Sequence, residues 1–177
     1  MGDQLELHPV RDSDIGTLEA LTQDQKTTGE FQWFGWNDLR LWRRGWTENG
    51  LIGPDCGILM AVLGSERLGL VNWRRRQITP AAFCWDIGVI LLPHARGRGY
   101  GTLAHQLLAQ YLFAHTTVHR IEAGTEVDNI AEQRALEKAG FTLESIMREI
   151  GWRNGAWRDG VLYSLLRTDP QPSTGSV

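Results

Sequence analysis

The segment LLPHARGRGYGT, residues 91–102, places three glycines and two arginines within six consecutive positions. An apolar run precedes it, and an apolar stripe at helical spacing begins at Leu103. Glycines between a strand and a helix let a ligand approach the backbone closely. The free N–H groups at a helix start carry partial positive charge, and arginines add to it. The segment therefore predicts a loop that binds a phosphate, with a solvated glycine-rich turn as the alternative.

Two well-known phosphate loops fit this segment poorly. A Walker A loop ends in Gly-Lys-Ser/Thr, which is absent here. A dinucleotide-binding loop reads G-x-G-x-x-G, and Glu122 does lie about twenty residues downstream, where a ribose-binding acid would be expected. The glycines here run G-x-G-x-G, however, and the strand before them follows an antiparallel hairpin rather than repeated parallel βαβ units.

A third phosphate loop fits better. Residues 96–101, RGRGYG, resemble the R/Q-x-x-G-x-G/A signature of the GNAT N-acetyltransferase superfamily. Further along, RIEAGTEVDNIAEQRALEKAGF resembles the branch that acetylates ribosomal-protein N-termini, in which N-x-x-S-x-x-x-x-E-K-x-G-F is typical. The matching positions are Asn129, Glu137, Lys138, Gly140 and Phe141. The resemblance covers about residues 4–167. It implies transfer of an acyl group, most often acetyl, from acyl-CoA to a primary amine by direct attack in a ternary complex.

The resemblance also implies where acetyl-CoA, the expected cofactor, would bind. Its pantetheine arm would lie beside the fourth strand, along the backbone of Val89, Ile90 and Leu91. Asn129 would contact the coenzyme near its thiol end. The pyrophosphate would lie on the loop and helix start formed by Arg96, Gly97, Arg98, Gly99, Tyr100, Gly101 and Thr102.

Transfer to an amine requires a base, because amines are protonated at neutral pH. The resembled branch often carries an acidic residue where this chain has Asp86, in the sequence Asp-Ile-Gly. Apolar neighbours would raise the pKa of such a carboxyl, which suits a base. The alternative is an aspartate paired with an arginine or a backbone N–H. Glu126 and Asp128, at the exit of the fifth strand, are the reserve candidates.

The chain departs from the family pattern at the position of the proton donor. Many GNAT enzymes have a tyrosine where this chain has Leu136, and the ribosomal branch has a serine where it has Glu132. Neither usual donor is present. A non-catalytic acyl-CoA sensor is therefore the alternative to an enzyme.

Four aromatic residues lie where GNAT enzymes build the acceptor site: Phe31, Trp33, Phe34 and Trp36. We predict that some of them contact the amine through apolar and cation–π interactions, the alternative being that they cover the core. The acceptor is expected to be a protein N-terminus or a small amine.

The pattern of strands and helices predicts an α/β (α+β) fold, a mixed, mostly antiparallel sheet with helices on both faces. We expect one domain over residues 1–167 and a disordered tail over residues 168–177. Helix N-caps are expected at Asp12 or Ser13, and a hairpin turn at Asn154–Gly155.

Composition excludes several classes of protein. A net charge of −3 argues against a nucleic-acid partner, and no apolar run is long enough for a membrane helix. The N-terminus lacks the features of a secretory signal, and two distant cysteines indicate a reducing cytoplasm. The scattered histidines predict no metal site. The oligomeric state is open, with a homodimer as one alternative because similar proteins often dimerise.

Overall fold

The computed structural model describes residues 4–170 and contains one central sheet. The strands are β1 (Leu5–Pro9), β2 (Cys56–Leu63), β3 (Glu66–Thr79), β4 (Ala82–Leu91), β5 (Arg120–Glu126), β6 (Thr142–Arg153) and β7 (Ala156–Leu166). The helices are α1 (Ile15–Gln23), α2 (Gln25–Thr28), α3 (Arg40–Asn49), α4 (Tyr100–His115) and α5 (Ile130–Lys138). The strands lie in the order β1-β2-β3-β4-β5-β7-β6.

Helices pack on both faces of this sheet, as predicted. On one face, α4 and α5 bury a core with Trp85, Ile87 and Val89 of β4. On the other, α1 and α3 cover Met60 and Leu70. Adjacent strand residues point to opposite faces, so one strand contributes to both cores. Each fully buried leucine of these cores stabilises the fold by about 1.5–3 kcal/mol.

The sheet is mixed and mostly antiparallel, which also confirms the prediction. Every neighbouring pair of strands is antiparallel except β4 and β5. The hairpin between β6 and β7 turns at the predicted residues. Asn154 and Gly155 have φ values of 50° and 76°, and Arg153 pairs with Ala156. Positive φ at both central residues is typical of a two-residue type I′ turn.

Two local expectations are wrong. The carboxylate at the start of the first helical segment is Asp14, not Asp12 or Ser13: it accepts hydrogen bonds from the backbone N–H of Arg11 (2.9 Å) and from Nε of Arg67 (2.9 Å). The stretch RLGLVNW, residues 67–73, predicts the second strand of a hairpin, but β3 runs well past it, through three arginines to Thr79. Pairing with β4 extends it, because backbone hydrogen bonds do not require apolar side chains.

The predicted tail, residues 168–177, lies outside the described residues from position 171 onward. Its first residues fold back on the last strand. Asp169 accepts a hydrogen bond from the N–H of Leu166 (2.8 Å) and donates its own N–H to the carbonyl of Leu166 (3.0 Å).

An ion-pair network ties the three last strands together. Arg120 of β5 reaches across β7 to Glu144 of β6 (2.7 and 2.5 Å), and the hydroxyl of Ser164 on β7 donates to the same carboxylate (2.5 Å). The Arg120 guanidinium, followed by the Ser164 hydroxyl, lowers the pKa of Glu144 from 4.5 to about 2. This carboxylate stabilises the fold while it is ionised.

We predict that Glu144→Gln lowers the free energy of unfolding at neutral pH by about 0.5–1.5 kcal/mol, since the pair is partly exposed. Because the folded-state pKa is depressed, the contribution is full above pH 4.5 and is lost as pH falls toward about 2. Urea denaturation above pH 4.5 and near pH 2 measures the difference in unfolding free energy between variant and parent. Glu6→Gln, on the exposed face of β1, is the control. A difference between variant and parent that persists at the acid end would contradict the assignment.

Candidate active site

Strands β4 and β5 separate soon after they meet. Within residues 4–170, their parallel pairing is confined to Trp85 with Ile121 and Asp86 with Glu122, although both strands run on beyond these pairs. Each strand stays paired with its other neighbour, β4 with β3 and β5 with β7. The result is a gap between the C-terminal ends of β4 and β5.

The backbone direction of β4 decides which groups face this gap. The N–H of Leu92 donates to the carbonyl of Leu68 in β3 (2.8 Å), and alternate residues of an antiparallel strand turn their backbone groups the same way. The backbone groups of Ile90 therefore face β3, and those of Val89 and Leu91 face the gap. Of the three residues predicted to hold the pantetheine arm, Val89 turns its N–H and carbonyl to the gap and Leu91 its N–H, since the Leu91 carbonyl accepts from Arg96, whereas Ile90 turns both groups to β3.

Helix α4 begins at the mouth of the gap. Gly99, its N-cap, has φ 82°, a left-handed conformation that favours glycine, and a Cβ built there would point into open space. The N–H groups of Tyr100, Gly101 and Thr102 are in the first turn, where an α-helix offers no backbone acceptor. Open space beside unpartnered N–H groups fits the binding of an anion.

A cavity of about 610 Å³ joins the gap to this helix start. Its walls are the segment 28–32, the end of β4 with the glycine loop, and one face of α5. The predicted site residues that line it are Phe31, Val89, Ile90, Leu91, Arg96, Gly97, Gly99, Gly101, Thr102 and Asn129. The structure thus brings most of the predicted cofactor contacts to one cavity.

Several predicted residues lie outside this cavity. The ring of Tyr100 is buried in the core, and the guanidinium of Arg98 lies over that ring at 5.1 Å. Only their backbones belong to the loop. Phe34 and Trp36 are 70% and 81% exposed, and Trp33 packs edge-on against Trp36. Their role as acceptor contacts stays a prediction.

The side chain of Arg96 is bound to protein carbonyl groups. Its guanidinium donates to the carbonyl oxygens of Leu91 (2.9 Å) and Thr27, and burial lowers its pKa. Most of its donors already have acceptors, so it contributes positive charge near the loop but has few N–H groups left to bond a phosphate directly.

Two cationic residues of α5 were not predicted as site residues. Arg134 and Lys138 line the cavity, four residues apart on the same face as Ala131 and Ala135. Small residues alternating with cations at helical spacing are the sequence signal that could have revealed them. They place positive charge on the wall that faces the helix start.

A buried histidine sits behind the cavity wall. His105 of α4 is fully buried, and its Nε2 lies 2.7 Å from Oε1 of Glu132 on α5. Glu132 lines the cavity and occupies the position where the resembled branch has serine. The pair fixes this carboxylate at the junction of the two helices.

Asp86 lies on the sheet face covered by α1 and α3, opposite the face of Trp85 and Ile87. The expectation of apolar surroundings is wrong, because Arg74 donates to its carboxylate at 2.8 Å. The side chain of Arg74 is 75% exposed and that of Asp86 is 25% exposed, so the pair borders solvent. Asp86 itself does not line the cavity.

Glu126 is held more firmly by its arginine partner than Asp86 is. Arg153 binds both of its carboxylate oxygens, at 2.5 and 2.7 Å, and the two side chains are 9% and 13% exposed. The hydrogen bonds that Arg153 donates to Glu126 raise the pKa of Arg153, and the charges of Glu30 and Asp128 raise it further. Glu126 is therefore half of a buried ion pair.

Among residues 4–170, no three histidine, cysteine or carboxylate side chains gather in a way that could hold a metal ion. Within the same range, no helix combines the length and the apolar character needed to cross a membrane.

Comparison with known proteins gives consistent matches. A family model described as an acetyltransferase (GNAT) domain matches residues 4–142. The probable N-acetyltransferase YjcK of Bacillus subtilis (strain 168) is 39% identical over 85 residues, covering 48% of this chain and 47% of that protein. An uncharacterized N-acetyltransferase, p20, of Bacillus licheniformis is 30% identical over 84 residues, covering 48% and 47%. These matches span about half the length of each relative.

Solved structures match over more of the chain. A RimL ribosomal L7/L12 alpha-N-protein acetyltransferase in complex with coenzyme A has a TM-score of 0.77 at 21% identity, covering 92% of this chain and 93% of that one. Spermidine N-acetyltransferase from Vibrio cholerae, in complex with CoA and spermine, has a TM-score of 0.76 at 19% identity, covering 94% and 97%. At these identities the likeness shows a shared fold.

We predict that Gly99→Val weakens coenzyme A binding at least about tenfold, or 1.4 kcal/mol, because a branched side chain would fill the space beside the helix start. Isothermal titration measures the affinity. Gly155→Val is the matched control, since Gly155 also has positive φ and open space but lies in the β6–β7 turn. Equal affinities in both variants would show that the anion does not bind at this loop.

Proposed function

Because the chain belongs to the GNAT acetyltransferase family, we propose that it transfers an acetyl group from acetyl-CoA to a primary amine. The amine attacks directly while donor and acceptor are both bound. When bound, acetyl-CoA supplies a reactive thioester and a thiolate leaving group. The proposal is carried by one observation: the gap between β4 and β5 and the open start of α4 line the same cavity.

The cofactor-binding residues have separate proposed roles. The first-turn N–H groups of α4 bind the pyrophosphate, with Arg134 and Lys138 adding positive charge from α5. The backbone of Val89 and Leu91 holds the pantetheine arm in the manner of an added strand. An N–H group in this gap also lies where it can stabilise negative charge on an acyl carbonyl oxygen.

Asp86 is the favoured base, and its surroundings support this choice over Glu126. Its partner Arg74 is an exposed surface side chain, which can move away at small cost. Glu126 would have to leave a two-point contact with Arg153 that is largely shielded from water, which costs more than releasing an exposed partner. The carboxylate of Asp86 is therefore the more accessible of the two for accepting the amine proton, directly or through water.

Carboxylates near the segment 28–32 favour a cationic acceptor. Glu30, Glu126 and Asp128 all raise the pKa of Arg153, so three carboxylates surround this guanidinium, while Arg96 lies against Gly29. Phe31 lines the cavity here, and Arg153 lies 5.1 Å from its ring. Protein N-termini and polyamines, the acceptors named for the RimL and spermidine N-acetyltransferase structures, both carry the amine that such a site suits.

Two free thiols support a cytoplasmic location. Cys56 is exposed and Cys84 is buried, and neither forms a disulfide. Unpaired cysteines are typical of reducing compartments. Fractionation of cells that produce the protein would test the location.

We predict that Asp86→Asn lowers turnover by about 10²-fold or more while acetyl-CoA affinity stays nearly unchanged, and that turnover of the parent rises with pH through one ionisation. Coenzyme A release is measured with a panel of N-terminal peptides and polyamines. Arg74→Gln is the control, because it breaks the same ion pair but keeps the carboxylate. Equal losses in both variants would make Asp86 structural. Cofactor binding without release for any amine would identify a sensor instead of an enzyme.

The exposed edge of the sheet supports a homodimer. Strand β6 forms one edge of the sheet. The β6–β7 hairpin exposes five large apolar side chains: Leu143, Ile146, Ile150, Trp152 and Trp157. A second copy related by a twofold axis would pair edge with edge and cover this surface.

We predict that Ile146→Asp converts a dimer into a monomer, because it places a charge in the centre of this apolar surface. Size-exclusion chromatography with light scattering gives the mass. Ile78→Asp serves as the control, since Ile78 is similarly exposed but belongs to β3. A monomeric parent protein would overturn the homodimer.

A further inference from the structure

Arg96 joins two segments that are distant in sequence. Its backbone belongs to the glycine loop, and its Nε donates to the carbonyl of Leu91 at the end of β4 (2.9 Å). Its terminal nitrogens donate to the carbonyls of Thr27 and Lys26 (3.5 Å for Lys26), about seventy positions earlier in the chain. One side chain therefore joins the end of β4, beside the glycine loop, to helix α2.

The segment held in this way forms one wall of the cavity. Residues 28–32 begin with the last residue of α2 and line the cavity, as does one face of α5. The Arg96 guanidinium lies 3.5 Å from the position that a Cβ on Gly29 would take, so it packs on this backbone. The hydroxyl of Thr28 also holds the segment, by donating to the carbonyl of Leu21 (2.6 Å).

We propose that Arg96 is a positioning residue that fixes residues 26–32 relative to the glycine loop, which is the proposed phosphate loop. The cavity wall made by residues 28–32, which is the proposed acceptor wall, then forms only when that loop is in place. The terms phosphate loop and acceptor wall rest on the proposed function. The hydrogen bonds of Arg96 to Leu91, Lys26 and Thr27, called the clamp below, are present in the cofactor-free chain.

The chemistry of the guanidinium supports this role. Its planar fork of N–H donors can bond several carbonyl groups at fixed angles, which a lysine ammonium cannot reproduce. Burial lowers its pKa, but a guanidinium stays charged at neutral pH, so its hydrogen bonds to these carbonyl groups are charge-assisted.

Hydrogen exchange on the cofactor-free protein tests the clamp directly. In Arg96→Ala and Arg96→Lys, amides of residues 26–32 should exchange at least about tenfold faster, because charge-assisted hydrogen bonds are lost. Arg98→Ala is the matched control: it removes the same charge from the same loop, but its guanidinium contacts the Tyr100 ring. Exchange of residues 26–32 should be unchanged in this control.

Kinetics separate positioning from phosphate binding. For Arg96→Ala, KM for the amine should rise at least about tenfold, while Kd for acetyl-CoA changes by less than about threefold. Unchanged exchange at residues 26–32 would overturn the proposal. So would a loss of acetyl-CoA affinity as large as the rise in acceptor KM, which would make Arg96 a phosphate contact. If the parent transfers no acetyl group, the proposed function fails, and the exchange result still decides the clamp.

Discussion

The site depends on one constraint, the early separation of β4 and β5. Both strands are held on their outer sides by antiparallel partners, so neither can turn to close the gap. The backbone groups of Val89 and the N–H of Leu91 face the gap and lack the strand that would normally satisfy them. An extended ligand with amide groups can satisfy them instead. The same separation places the free start of α4 at the end of the gap, so a strand-like arm and an anion can bind together.

Charge is distributed unequally along the cavity. The helix start, Arg134 and Lys138 contribute positive charge, and the segment 28–32 carries Glu30, with Arg96 lying against Gly29. The positive charge around the helix start suits an anionic donor, and Glu30 is a carboxylate of the lining that suits a cationic acceptor.

Ion pairing determines which carboxylates remain available for chemistry. Asp86 and Glu126 are both paired with arginines, but the first pair borders solvent and the second is buried. Glu132 is backed by a fully buried histidine and faces the cavity where a serine is typical of the resembled branch. The reactivity of each group thus follows from its partner and its exposure.

The sequence by itself determined the features that depend on neighbouring residues. Alternation and helical spacing predicted the strands and helices, Asn154–Gly155 predicted a turn, and the glycines of residues 97–101 predicted a glycine loop that opens a helix. The tertiary structure alone decided which groups meet. It pairs Asp86 with Arg74 and Glu126 with Arg153, turns the backbone of Ile90 away from the gap, and carries the guanidinium of Arg96 to Thr27. Turns and helix starts are short-range effects of backbone conformation, whereas ion pairs and cavity walls form between residues that only folding brings together.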